Sequence, residues 1–229
     1  MSVKKLTFVD KKSLNAIALG GAVLGSGGGG DPYVGRLMTS QSIGESGGVK
    51  VIDIESLPDE ALILPIAMMG APTVMVEKFP SGNEFAQLIP LIEKLLTKPV
   101  SAILCAEAGG LNSTIPFVAA SKLGLPIIDG DAMGRAFPEL QMVTFTLGGI
   151  SATPMAMVDE KGNGCTFDTI SNVWTEKLAR AITIQMGGSA MCSLYPVTAK
   201  QCKDYIIRGS LSLIHHIGNI IEKHSFNAY

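Results

Sequence analysis

The chain has 229 residues, of which 47% are hydrophobic and 17% charged, and its formal net charge is -2 at pH 7. This length is enough for one large domain or two small ones with a full hydrophobic core. The balanced charge excludes the basic surface of a typical nucleic-acid-binding protein. No apolar run reaches the roughly eighteen residues that predict a transmembrane helix. We therefore expect a cytoplasmic protein without a nucleic-acid or membrane partner.

The N-terminal part predicts two helices separated by a glycine-rich loop. Apolar residues from Leu14 to Ala22 recur at helical spacing, so residues 10–24 are expected to form the first helix. Asp31 can cap a second helix, which begins at Pro32 and runs to about residue 42. The loop between the two helices reads GSGGGG at residues 25–30.

The middle of the chain alternates strands with helices. Apolar and alternating patterns predict strands at residues 49–54, 61–69, 100–106 and 126–129, and helices at residues 83–96 and 113–123. Pro65 argues against the second of these strands, because proline cannot donate to a sheet ladder. The strand and helix order is typical of an α/β fold with a mostly parallel sheet and crossover helices.

The last third predicts more strands and two long helices. Residues 142–146 and 154–158 are strand-like, and a turn at 159–164 leads into residues 165–167, which completes a β-hairpin. Helices are expected at residues 173–186 and 198–223. We predict one α/β domain over residues 1–197, followed by a C-terminal helical arm over residues 198–229.

The glycine-rich loop satisfies the pattern G-x-G-x-x-G, but a helix precedes it where a dinucleotide site needs a strand. Two interpretations stay open. Glycines at positive φ can direct several N–H groups at a carboxylate or a carbonyl of a ligand. Alternatively, the loop only allows two backbones to pack closely.

Polar side chains follow three of the predicted strands at the point where each strand ends. Because the carboxyl ends of parallel strands meet at one edge of a sheet, we expect these side chains to lie together. Neighbouring carboxylates can act as acid and base, or bind a divalent cation, and an arginine can bind a substrate carboxylate. Each residue taken singly also has a structural explanation, such as helix capping. The residues are Glu77, Glu107, Asn112, Asp129, Asp131, Arg135 and Glu139.

The cysteines Cys105, Cys165, Cys192 and Cys202 form no C-x-x-C pair and have no spacing typical of a zinc site. We expect them to be reduced and packed as small apolar side chains.

Four sequence motifs carry a resemblance that spans nearly the whole chain. They are LGSGGGGDPY at residues 24–33, GAPTV at 70–74 with Glu77 and Lys78, EAGGLN at 107–112, and DGDAMGRAFPE at 129–139. Together they resemble the DUF917 family, whose members include S-methyl thiohydantoin desulfurase and occur beside hydantoinase and oxoprolinase genes. Family members have a further C-terminal domain after a helix that is similar to residues 198–223. We therefore expect this chain to contain the N-terminal domain alone.

The resemblance implies hydrolysis of a five-membered cyclic imide or thio-imide, in which water displaces a sulfur leaving group. A divalent metal such as zinc could assist this reaction. The candidate catalytic residues are Glu107, Asp131 and Glu77. The candidate substrate-binding residues are Gly27, Gly28, Gly29, Gly30, Asp31, Asn112, Asp129, Arg135 and Glu139.

Two other functions remain open at this point. The chain could be a non-catalytic subunit or partner of a hydantoinase- or oxoprolinase-type enzyme, or it could bind a small metabolite without turning it over. The high apolar fraction also favours a homo-oligomer or association with a hydantoinase-type enzyme.

Overall fold

The computed structural model describes residues 3–71, 73, 74, 78 and 81–225, without the side chains of residues 45 and 225. Its helices are α1 (Ser13–Gly25), α2 (Pro32–Ser46), α3 (Glu84–Leu96), α4 (Ile115–Leu123), α5 (Thr144–Leu147), α6 (Asn172–Gln185), α7 (Ala199–Tyr205) and α8 (Ser210–Ser225). Its strands are β1 (Phe8–Val9), β2 (Val49–Ile52), β3 (Leu62–Gly70), β4 (Val100–Cys105), β5 (Ile127–Asp131), β6 (Met155–Val158), β7 (Gly164–Phe167), β8 (Ser189–Ser193), β9 (Val197–Thr198) and β10 (Ile207–Arg208). Across these ranges, no helix combines the length and apolar character that crossing a bilayer requires.

The strands form one mixed sheet in the order β1-β2-β5-β4-β3-β8-β6-β7. The central strands β2, β5, β4 and β3 are parallel, and the outer strands β1, β8, β6 and β7 are added in antiparallel pairs. The short strands β9 and β10 pair with β3 and β5. This confirms the predicted α/β fold, with its mostly parallel centre and the β6–β7 hairpin.

Pro65 lies inside the buried strand β3, where proline is normally avoided. On one side of β3, the partner β9 pairs with Leu62 and Ile63, and the partner β8 takes over at Ile66. Pro65 therefore lies in the gap between two antiparallel partners. A strand that changes partners at this point can accommodate a residue without an N–H group.

Both faces of the sheet are covered by apolar cores. Leu64 and Ile66 belong to the core beneath α1, α3, α4 and α8, whereas Ile63 and Ala67 belong to the core on the opposite face. Successive side chains of a strand point to opposite faces, so a strand that is covered on both sides is apolar throughout. The terminal helix α8 packs against α1, since its Leu211 and Ile214 lie in the same core as Leu14 and Ile17 of α1.

Two predicted elements of the last third are wrong. Residues 142–146, predicted as a strand, contain the start of the short helix α5. Thr144 N–H donates to Ala132 O in the loop after β5, and Thr146 N–H donates back to Val143 O in a helical turn. The single helix predicted for residues 198–223 is divided into α7, β10 and α8. Gly209, with φ of 76°, forms the turn between β10 and α8. Strand β8, with the weakly β-forming sequence SAMCS, was not predicted.

Candidate functional site

A cavity of about 180 Å³ lies where the parallel strands β3, β4 and β5 end. Three loops meet there, namely the glycine-rich loop before α2, the loop after β4 and the loop after β5. Of the polar residues that the sequence predicts to lie together at this edge, Glu107, Asn112 and Glu139 line the cavity. Most of the lining is apolar, and its ionisable or amide side chains are Glu107, Asn112, Glu139, Arg180 and Tyr195.

The glycine-rich loop packs directly onto the loop after β4. The carbonyl oxygens of Gly29 and Gly30 accept hydrogen bonds from Leu111 N–H over 2.8 and 3.2 Å. Gly29 has φ of 74°, and a Cβ atom on it would lie 2.6 Å from Gly109 O. The glycines therefore allow a close approach of two backbones. Gly29 and Gly30 also line the cavity, and the binding of a ligand by their N–H groups stays a prediction.

The other candidates in the glycine-rich motif lie outside the lining of the cavity. Gly27 has open space around its Cα, and Gly28 faces the side chain of Ala136. Asp31 caps α2 by accepting a hydrogen bond from Tyr33 N–H over 2.8 Å, as the sequence predicts. Its carboxylate therefore has a structural role at the start of the helix.

Glu107 is the buried carboxyl group of the cavity, with only 6% of its surface exposed. Its Oε1 accepts a hydrogen bond from Asn112 Nδ2 over 2.6 Å, and its Oε2 accepts one from Phe137 N–H over 3.2 Å. Burial raises the pKa of Glu107 to about 7, against the two hydrogen bonds, which lower it. The negative charge of Asp131 raises this pKa further. A carboxyl group with such a pKa can both take up and release a proton near neutral pH.

The amide group of Asn112 is held in one orientation by the backbone of β3. Its Oδ1 accepts from Met68 N–H over 2.7 Å, and its Nδ2 donates to Met68 O over 3.2 Å. These two bonds show which end of the amide is the oxygen and which is the NH₂ group. The NH₂ group, Nδ2, therefore faces Glu107. Asn112 thereby fixes the position of the Glu107 carboxyl group.

Asp131 is fully buried and lies outside the lining of the cavity. Its Oδ2 accepts N–H groups of Ala108, Met133 and Gly134 at 2.7–3.1 Å. It therefore ties the loop after β4 to the loop after β5. Burial raises the pKa of Asp131, although these hydrogen bonds and the nearby Ser210 hydroxyl lower it. At standard hydrogen-bond geometry, neither Oδ1 of Asp131 nor Oγ of Ser210 has a partner within the described residues.

Asp129 faces the terminal helix. Its Oδ1 accepts from Ser212 N–H over 3.0 Å, and its Oδ2 accepts from the Ser212 hydroxyl over 2.6 Å. The two aspartates of β5 therefore anchor two different parts of the fold, and Asp129 is also absent from the lining of the cavity.

The remaining candidates from the sequence are divided between the cavity and the surface. Glu139 lines the cavity and accepts a hydrogen bond from Gln141 Nε2 over 2.5 Å. Arg135 is exposed and lies over the ring of Phe137, 5.8 Å from its centroid, so it does not line the cavity. Glu77 lies outside the described residues.

The cavity has an arginine that sequence reasoning missed. Arg180 of α6 bonds to Glu176 Oε1 through Nε and Nη2 and donates to Pro138 O over 3.1 Å. Glu176 in turn accepts a hydrogen bond from Leu140 N–H over 2.9 Å. This pair holds the loop after β5 against α6. The i,i+4 spacing of the pair was readable from the sequence, but only as a helix-surface ion pair.

Tyr195 is the second lining residue that was missed. It follows β8 and is 1% exposed, and its hydroxyl lies 2.6 Å from Thr146 Oγ1. Its ring and that of Phe145 have centroids 5.9 Å apart and cover one wall of the cavity. Because β8 itself was not predicted, no sequence signal placed Tyr195 near Glu107.

The described part of the chain contains no group of three or more His, Cys, Asp or Glu side chains that could hold a metal ion. Both oxygens of Glu107 and Oδ2 of Asp131 already accept hydrogen bonds from neutral N–H donors. This donor set does not fit a zinc site, which takes three or four protein ligands. The cysteines are free, and burial raises the pKa values of the thiols.

Comparisons with known proteins agree with this fold. A crystal structure of a protein from Chromobacterium violaceum superposes with a TM-score of 0.85 at 21% sequence identity. The match covers 96% of this chain but 63% of the other, so this chain spans less than two thirds of that protein. No curated protein matches the sequence.

Two family models match consecutive parts of the chain. The S-Me-THD-like N-terminal domain matches residues 12–169, and the S-Me-THD-like C-terminal domain matches residues 170–227. The expectation that the chain contains the N-terminal domain alone is therefore wrong, because α6, β8, α7 and α8 belong to the C-terminal match. The predicted boundary at residues 197 and 198 stays a prediction. Together the two matches show that this chain belongs to the S-Me-THD-like family.

Proposed function

We propose that the chain is a hydrolase that acts on a hydantoin-type five-membered ring, with Glu107 as its general base. The observation that carries this proposal is the buried Glu107 carboxyl group, which is fixed by Asn112 and has a pKa raised to about 7. Membership of the S-Me-THD-like family supports the class of substrate.

The size and lining of the cavity support a small ligand. Its volume of about 180 Å³ is below the roughly 300–1,000 Å³ of pockets for drug-sized molecules. Apolar side chains such as Val143, Phe145 and Leu194 can cover the faces of a planar ring. The N–H groups of Gly29 and Gly30 are the donors that we propose for a ring carbonyl.

For an S-methyl thiohydantoin, the reaction needs one water molecule and no redox step. The water oxygen forms a bond to the ring carbon that carries sulfur, and the bond between this carbon and sulfur breaks. Glu107 takes one proton from the water and gives it to the departing sulfur, which leaves as methanethiol. The second proton of the water ends on the ring nitrogen. A carboxyl group with a pKa near 7 suits both proton transfers.

Release of methanethiol from S-methyl thiohydantoin tests the proposal. We expect turnover by the purified chain, and a loss of about 10²–10⁴-fold in kcat/KM for Glu107→Gln. Glu60→Gln is the matched control, because Glu60 is exposed and far along the chain from the cavity loops. Full activity of Glu107→Gln, or the absence of turnover by the unmodified protein, would reject the proposed base.

If the chain binds a metabolite without turning it over, we expect a different result with the same purified protein and the same compounds. Hydantoin or S-methyl thiohydantoin would then raise the melting temperature of the unmodified chain without any product being formed. Association with a second copy, or with a hydantoinase-type enzyme, also stays a prediction from the sequence. Light scattering of the chain alone, and then mixed with such an enzyme, measures it.

A further inference from the structure

Tyr195 combines three features in one residue of the cavity. It is buried, it lines the same cavity as Glu107, and its backbone has φ of 52°. A bulky residue in this left-handed region is a real outlier, and such outliers cluster at functional sites. The strained conformation is held at its backbone by Tyr195 N–H, which donates to Ala152 O over 3.0 Å.

A fixed hydrogen-bond chain leads to the Tyr195 hydroxyl. Asn172 Oδ1 accepts from Ala152 N–H over 2.8 Å, so the other end of this amide must carry the N–H groups. Asn172 Nδ2 donates to Ile150 O over 2.9 Å and to Thr146 Oγ1 over 3.1 Å. Thr146 Oγ1 thus already accepts one hydrogen bond, and its own proton can point to Tyr195 Oη.

The 2.6 Å contact between Thr146 Oγ1 and Tyr195 Oη is compatible with either hydroxyl as the donor, and with Thr146 as the donor the phenolic proton of Tyr195 is left for another acceptor. Burial raises the pKa of Tyr195 to about 12, so the hydroxyl remains protonated at neutral pH. In the described part of the chain, the hydroxyl has Thr146 as its hydrogen-bond partner. Tyr195 lines the cavity, where a bound ring can supply such an acceptor.

We propose that the Tyr195 hydroxyl donates a hydrogen bond to an acceptor atom of the bound ring and is thus a second residue that contacts the substrate. The inference rests on the proposed function, since it takes a small cyclic imide or thio-imide as the ligand. A donor at this place would bind the ring and would also stabilise negative charge on it when water attacks.

Two single variants separate this role from a structural one. Tyr195→Phe and Thr146→Val break the same hydrogen bond of 2.6 Å, but only Tyr195→Phe removes the donor. We expect Tyr195→Phe to weaken the binding of hydantoin about fivefold, measured by calorimetry, which corresponds to one hydrogen bond. Thr146→Val should retain the affinity within about twofold, and melting temperatures of both variants show whether the fold is intact.

The outcomes distinguish this inference from the proposed hydrolysis. Equal losses in both variants, or no loss in either, would overturn the role of the hydroxyl. If the unmodified chain binds hydantoin without turning over S-methyl thiohydantoin, the proposed catalysis fails, but the fivefold loss in Tyr195→Phe would still support the hydroxyl as a donor. If the unmodified chain does not bind hydantoin, the inference is overturned together with the proposed ligand.

Discussion

Asn112 donates a hydrogen bond to Oε1 of Glu107 over 2.6 Å while its own amide is paired at both ends with the backbone of Met68. This relationship connects a strand of the central sheet to the carboxyl group of the cavity. Glu107 is thus held by the sheet itself, although it lies in a loop.

Replacement of Asn112 by alanine should destabilise the protein and alter the titration of Glu107. It removes the Asn112 partner from the N–H and the carbonyl of Met68, and a buried group that loses its partner costs about 1–3 kcal/mol. We expect the free energy of unfolding to fall by about 2–4 kcal/mol in urea titrations. The pKa of Glu107 should also rise, because one hydrogen bond to its ionised form is lost.

The control for this variant is Asn15→Ala. Asn15 is exposed and bonds to Glu222 at the surface, so its loss should change stability by less than about 0.5 kcal/mol. Equal effects of the two substitutions would contradict the role that we assign to Asn112.

Glu107 should make the stability of the protein depend on pH. Its pKa is about 7 in the folded protein against 4.5 for an ordinary glutamate, so the folded state holds the proton more tightly. Stability is therefore highest below the unfolded pKa and is lost as the pH rises through the folded pKa. Because of Glu107, the free energy of unfolding should fall by about 3 kcal/mol as the pH rises from 4.5 to about 7.

Urea unfolding at pH 5 and pH 8 measures this effect. Asp131 also has a raised pKa and acts in the same direction, so the unmodified chain must be compared with Glu107→Gln. The variant should lose less stability than the unmodified chain between these two pH values. An identical pH dependence in both proteins would show that the Glu107 carboxyl is not perturbed.

The glycine-rich loop offers a matched pair of substitutions. Gly29 and Gly27 have similar left-handed φ values, of 74° and 87°, but only Gly29 faces another backbone. A Cβ on Gly29 would lie 2.6 Å from Gly109 O, whereas a Cβ on Gly27 would meet nothing within 4 Å. Gly27→Ala should therefore cost about 1–2 kcal/mol from its backbone conformation alone.

Gly29→Ala should cost more than Gly27→Ala, since the same conformational strain is joined by a steric clash. Unfolding in urea gives both values, and ligand binding shows whether the cavity has moved. Equal costs for the two substitutions would indicate that the loop does not pack closely on Gly109.

Asp131→Asn should preserve the fold while changing the pH profile. An amide oxygen can still accept the N–H groups of Ala108, Met133 and Gly134. The substitution removes a negative charge that raises the pKa of Glu107. We expect the acid limb of kcat/KM to move to lower pH, with turnover retained, because Asp131 does not line the cavity.

The matched control is Asp129→Asn, on the same strand. Asp129 bonds to Ser212 and is not among the groups that shift the pKa of Glu107, so the acid limb should stay in place. Complete loss of turnover in Asp131→Asn, with an intact fold, would instead assign Asp131 a direct catalytic role.

The sequence by itself determined the parallel centre of the fold and the edge at which the site lies. Strands β3 and β4 are apolar on both faces, and this local pattern follows from burial wherever the strands end up. Asp31 and Pro32 likewise set the start of α2 through local hydrogen bonding and a fixed φ. Glu107 and Asn112 could be named because they lie in the segment that follows the end of β4.

Only the tertiary structure decided which polar residues share the cavity. Asp131 ends β5 and Glu107 lies just after β4, but Asp131 accepts hydrogen bonds from three backbone N–H groups, whereas Glu107 lines the cavity. Tyr195 and Arg180 reach the cavity because β8 pairs with β3, over a separation of more than a hundred residues. Such pairing depends on contacts between distant segments, and a weak strand sequence such as SAMCS becomes a strand only when its partner is in place.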